Sequence, residues 1–167
     1  MKYMNIHEMR QELVQLGGGA HALAIQILGN ADDAADAVQD AVTTALTKPG
    51  AYDDRKGPLN SWFLRVVRNR CFDLLRRRRS SDMPVDELVD PAANPEQALE
   101  IAQRDQVLKQ ALALISSEQR QIIVLRDYLD LSYAEIADVL SVAQGTVMSR
   151  LHRARLALRE VLKGHGE

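Results

Sequence analysis

Arg150, His152, Arg153, Arg155 and Arg159 crowd the last part of the chain, and between them Val147, Leu151, Ala154 and Leu158 recur at the spacing of one helix face. Guanidinium groups set this way build no bond-breaking site. They offer charged hydrogen-bond donors to a polyanion from a helix whose other side is buried. Just upstream, Ile136, Ala137 and Leu140 repeat the period over a shorter run, and residues 141–143 leave room only for a turn. Residues 132–155 therefore read as a helix-turn-helix, a motif that lays its second helix in the major groove of DNA. On the helical wheel Gly145, Ser149, His152 and Arg153 lie farthest from the apolar stripe and are the candidates for base edges. Thr146, Arg150 and Arg155 flank the stripe and suit phosphates, which position a helix without carrying sequence information.

A second basic cluster spans residues 65–79, with seven Arg against Asp73, a local charge of +6. Phe63, Val66, Val67, Cys71 and Leu74 take one side of this helix. Arg65, Arg68, Asn69, Arg76 and Arg79 take the other, with Phe72 among them. Arginines at a helix C-terminus also suit the dipole, but these extend a face begun two turns earlier, so phosphate contact is the favoured reading. Arg70 falls near the apolar arc and is expected to snorkel or to pair with an acid. Between the clusters, residues 80–105 sum to -6, and residues 144–163 then return to +4, an asymmetry that the overall charge of -2 conceals. Asp32, Asp36 and Asp40 recur every four residues, with Gln39 beside them, and make an acidic stripe on an earlier helix. Periodicity alone leaves two readings open, a solvated surface and a docking face for a basic partner.

The elements that must position these residues are helices. The chain has 167 residues, 46% of them hydrophobic but only 4% aromatic, and no stretch alternates as a strand would, so the expected class is all-α with two small helical domains. Residues 5–28 carry a helical period that Gly17, Gly18 and Gly19 interrupt; at about 1 kcal/mol per interior Gly, a break into two short helices is expected. Asn30 is an N-cap for a helix over 31–46, whose inner face reads as Val38, Ala41, Val42 and Ala45. Pro49, Gly50, Gly57 and Pro58 mark a loop over 48–60, and a helix resumes from about residue 59. Residues 81–96 read as an acidic linker. Ser116 with Gln119, and Ser132 with Glu135, form capping boxes for two later helices.

With this order on view, the chain resembles a small bacterial sigma factor of the extracytoplasmic-function group, in the sigma-70 family. Residues 34–40 are similar to that family's Ala-Glu-Asp-hydrophobic-Val-Gln-Glu helix. Residues 62–69, followed by Asp73 and Arg76, are similar to its Trp-Leu and Asn-x-x-x-Asp-x-x-Arg signature, and residues 133–137 and 145–155 resemble its C-terminal motif. The resemblance implies sigma domain two over 1–80, a linker over 81–96, and sigma domain four over 97–167. It further implies binding to core RNA polymerase and to promoter DNA, with an anti-sigma factor as a further partner. Asp36, Gln39 and Asp40 would then dock on the polymerase. Tyr52 and Asn60, in the loop where such proteins capture an extruded base, would stack on and hydrogen-bond to it, while Arg65, Arg68, Asn69 and Arg76 would hold the minus-10 region. Thr146, Ser149, Arg150, His152, Arg153 and Arg155 would read the minus-35 element. Trp62 would be a core residue, and the linker would occupy the path of nascent RNA.

Three departures from the family pattern stand out. Met148 occupies a position where Arg or Lys is frequent, and Asp130 and Ser141 stand where Gly is frequent, so strain is expected in two turns. Other readings make less use of the residues. A sigma mimic that sequesters an anti-sigma factor would not need the two basic faces, and a one-component regulator would leave the acidic stripe and the helix over 62–76 without a role. An enzyme is the weakest fit: no nucleophile, base and oxyanion set can be assembled, and His7, His21, His152, His165 and the single Cys71 are too scattered to suggest a metal or cofactor. No apolar run approaches the roughly 20 residues of a membrane span, and the N-terminus has no secretion signal, so a cytoplasmic protein is expected.

Overall fold

The computed structural model describes residues 4–80 and 101–165, and among these the regular structure is helical throughout. The acidic linker expected over 81–96 lies outside the described residues, as does the stretch 97–100. The described helices belong to two compact units.

In the first unit, α1 runs over Ile6–Leu28 and opens with a capping box: Asn5 Oδ1 accepts from the Glu8 amide at 2.8 Å, and the Glu8 carboxylate accepts from the Asn5 amide at 3.2 Å. It passes unbroken through Gly17, Gly18 and Gly19, contrary to the expected break. Met9 and Leu13 before the triplet and Ala20, Leu23, Ala24 and Ile27 after it are all buried, and this packing outweighs the poor propensity of the glycines between them. The helix ends where Gly29 turns left-handed, at φ 71°, and donates its amide to the Ile25 carbonyl at 2.8 Å.

Helix α2, Ala31–Thr47, starts as expected at Asn30, whose side chain accepts from the Asp33 amide at 3.0 Å. Its buried face is Ala34, Ala37, Ala41 and Ala45, with Val38 and Val42 only half-buried. The inner face is thus turned from the one expected, onto small side chains. Two 3-10 turns, Pro49–Ala51 and Asp54–Lys56, lead to α3 over Leu59–Ser80, which buries Leu59, Phe63, Leu64, Val67 and Cys71. The three long helices pack against one another in pairs.

In the second unit, α4 is Ile101–Ala113 and α5 is Ser117–Ile123. Ser116 and Gln119 form the capping box of α5. Helix α5 continues directly into a π-helical turn, Val124–Tyr128, closed by the Leu129 amide donating to the Val124 carbonyl at 2.9 Å. Asp130 then adopts φ 56°, the left-handed region. Arg126 braces this corner, donating to the Leu131 carbonyl at 2.7 Å with its guanidinium 5.0 Å from the centre of the Tyr133 ring. Helix α6, Tyr133–Leu140, begins with the Ser132 and Glu135 capping box and ends at Ser141, φ 57°; α7 follows over Gln144–His165. Both positions where Gly had been the more natural residue are therefore left-handed, and Asp and Ser bear that conformation at a cost Gly would not incur.

Candidate nucleic-acid interface

Helix α7 is seated by Val147, Leu151 and Ala154, exposed by 0%, 2% and 0% respectively. That seating turns Gly145, Ser149, His152 and Arg153 outward, as the wheel predicts, and leaves Thr146 and Arg150 half-buried beside them. The outer face is internally ordered. Ser149 Oγ donates to the Thr146 carbonyl at 3.1 Å, while Arg153 donates through Nε to the Ser149 carbonyl at 3.4 Å and through Nη2 to Ser149 Oγ at 3.5 Å. The Arg153 guanidinium thus lies along the helix over Ser149, and the two side chains face outward as one polar group.

Arg155, expected to contact a phosphate, is held here by a carboxylate. Its Nη2 and Nε donate to Asp127 Oδ1 at 2.5 Å and Oδ2 at 3.2 Å. The hydrogen bonds to that carboxylate raise the Arg155 pKa above its ordinary value. Asp127 had no sequence signal, because its partner is 28 residues away and shares no helix with it.

The basic helix of the first unit is also partly engaged. Of the two courses expected of Arg70, snorkelling and pairing with an acid, the structure has the pair: it donates to Asp40 Oδ2 at 3.0 Å through Nε, with Nη2 at 2.8 Å. Arg78 pairs with Asp33 and Arg76 with Asp73. The Arg68 guanidinium sits 4.7 Å from the centre of the Phe72 ring, Arg65 is half-buried, and Asn69 is exposed. On α2, Asp36 and Gln39 face solvent, whereas Asp40 is tied to α3 through Arg70.

In the loop before α3, Tyr52, which the resemblance casts as a base-stacking residue, is held within the loop. Its hydroxyl donates to the Gly57 carbonyl at 3.1 Å and its ring lies 5.3 Å from that of Trp62, tilted by 54°. Desolvation, followed by the negative charges of Asp54, Glu12 and Asp53, raises its pKa. Tyr52 and Trp62 together brace the loop onto the start of α3, and Trp62, expected in the core, is half-buried there. Asn60, in the first turn of α3, is half-buried, and the buried Ser61 donates to the Pro58 carbonyl at 3.2 Å. Among the described residues no group of His, Cys, Asp and Glu could hold a metal ion, and no helix is long and apolar enough to cross a membrane.

Residues 13–81 match the family profile of Sigma-70 region 2, and residues 105–158 that of Sigma-70, region 4. The ECF RNA polymerase sigma factor SigL of Mycobacterium tuberculosis is 35% identical over 147 residues, which cover 86% of this chain and 82% of SigL. SigE of Mycolicibacterium smegmatis, also an ECF RNA polymerase sigma factor, is 35% identical over 150 residues; the match covers 87% of this chain but only 58% of SigE. Among solved structures, the sigma factor RpoE in complex with the anti-sigma factor NepR, from Bartonella quintana, superposes with a TM-score of 0.76 at 31% identity, covering 92% of this chain and 96% of that one. CnrH in complex with the cytosolic domain of CnrY gives a TM-score of 0.68 at 25% identity, covering 96% of this chain and 90% of CnrH.

Proposed function

We propose that this chain, which belongs to the ECF RNA polymerase sigma factors, binds core RNA polymerase and directs promoter-specific initiation by recognising minus-35 and minus-10 elements. It makes and breaks no covalent bond itself. The observation that carries the reading is the outer face of α7, where Ser149, His152 and Arg153 stand exposed on a helix fixed from behind by three buried residues. That face reads the minus-35 element in the major groove, with Thr146 and Arg150 on the backbone and Arg155 joining them once it leaves Asp127.

The first unit, within residues 1–80, takes the minus-10 region. Arg65, Arg68, Asn69 and Arg76 contact the DNA backbone, and Asn60 hydrogen-bonds to a base. Tyr52, half-buried beside Trp62, shapes the loop and stacks on a base. Asp36, Gln39 and Asp40 dock on the polymerase, with Asp36 and Gln39 exposed and Asp40 paired to Arg70. The linker over 81–96 joins this unit to the second, within 97–167. An anti-sigma factor is a further partner, a reading supported by the solved complex of the similar RpoE with NepR. The site of action is the cytoplasm, where core polymerase is found.

A sigma mimic without DNA binding is disfavoured by the retention of both basic faces. Transcription in vitro with core polymerase on a promoter library tests the choice. Initiation that depends on this chain and on promoter sequence is expected. A folded chain that joins core polymerase and starts from no promoter overturns the proposal.

A further inference from the structure

Met148 is 56% exposed on α7, although methionine is a side chain that folding ordinarily uses as core filler. It contributes nothing to the seating of the helix, which Val147, Leu151 and Ala154 accomplish. It stands next to Ser149 in the chain, three residues after Gly145 and four before His152, so it shares the outward side of the first two turns with those residues. A Cβ added at Gly145 would meet nothing within 4 Å, so the surface beside Met148 is open and low, and a base pair can approach it closely.

The chemistry of the groove decides what such a side chain can read. Arg or Lys here would donate to the O6 and N7 acceptors of guanine. Met has no donor. Its thioether is a weak acceptor, and its flexible apolar end gains by leaving water against another apolar group. The major groove offers one such group, the C5-methyl of thymine.

We propose that Met148 is a specificity-determining residue that selects thymine, through its C5-methyl, at one position of the upstream promoter element. The inference rests on the reading that α7 enters the major groove of that element. It makes Met148 the apolar member of a reading face whose polar members are Ser149, His152 and Arg153.

Replacing thymine by deoxyuridine removes the methyl and leaves every hydrogen-bonding group in place. Holoenzyme made with the wild-type chain is first used to select duplexes from a library randomised upstream, and each thymine of the selected element is then replaced by deoxyuridine in turn. At one position wild-type holoenzyme should lose about fourfold in affinity, the worth of one buried methyl. Met148→Ala and Met148→Gln holoenzymes should bind the thymine and deoxyuridine duplexes equally at that position, while sharing the wild-type losses elsewhere. Both variants change an exposed side chain, and unchanged melting temperatures establish that they fold. Equal losses for wild type and variants at every position, or selection of an element with no thymine, overturn the assignment of Met148 while leaving promoter recognition intact. A wild-type holoenzyme that selects no upstream element overturns both.

Discussion

Asp127 holds Arg155 by two hydrogen bonds, at 2.5 and 3.2 Å, and so joins the π-helical turn at the end of α5 to the recognition helix α7. Both side chains are nearly half exposed, which limits the pair to at most about 1 kcal/mol of stability. Its larger consequence is for the field met by DNA. A carboxylate already offsets one arginine of a helix that must bind phosphates, and that arginine exchanges one anion for another when DNA arrives.

Asp127→Asn should therefore release Arg155 to a phosphate. Binding of the full chain to duplex DNA should strengthen at low salt, because no carboxylate then competes with the phosphate for the Arg155 guanidinium. Adding Arg155→Ala should cancel the gain. An affinity that Asp127→Asn leaves unchanged means that Arg155 reaches no phosphate.

Helix starts were legible because caps are local: Asn30, Ser116 and Ser132 each accept from an amide three residues on, and that spacing is visible in the chain. The outward set on α7 was legible for the same kind of reason, since one strong apolar stripe fixes a helix's rotation. The partners in the ion pairs were not, because Asp127 and Arg155 lie 28 residues apart and Asp33 and Arg78 lie 45 apart, distances that no periodicity spans. The hold on Tyr52 was not legible because its partner is a carbonyl, a group that every residue carries. Gly17 to Gly19 were misread because propensity is a property of the segment, whereas α1 is held by burial on both sides of it.

The glycines that α1 carries lower its stability. A Cβ at Gly17 or Gly18 would meet nothing within 4 Å, and neither residue has a positive φ. Gly17→Ala and Gly18→Ala should each stabilise the chain by about 1 kcal/mol in denaturant unfolding, because alanine loses less backbone freedom on entering a helix. Destabilisation by either would mean that α1 needs a bend there.

Cys71 is fully buried on α3, and desolvation pushes its thiol up to about 12 from an ordinary 9.0. The folded chain then holds its proton over a range in which the unfolded chain has lost it, so the thiol's contribution is complete below pH 9.0 and is lost as pH rises towards about 12. Urea unfolding across that window should show the wild type losing stability more steeply than Cys71→Ala, which lacks the titrating group. Parallel curves would show that the thiol ionises alike in both states.

Asp36 and Asp40 share a face of α2 but differ in what they hold. Asp40 accepts from Arg70 of α3, so reversing its charge sets two cations together and opens a link between helices. Asp36 has no ion pair among the described residues, and its side chain is exposed. If this face docks on the polymerase, Asp36→Arg should weaken core binding roughly tenfold or more through charge opposition, with the melting temperature unchanged. Asp40→Arg should weaken binding and also lower the melting temperature. Competition against a second sigma factor for core polymerase, run beside thermal unfolding, separates the two effects. Undiminished competition by a well-folded Asp36→Arg chain would remove the acidic stripe from the polymerase interface and return it to solvent.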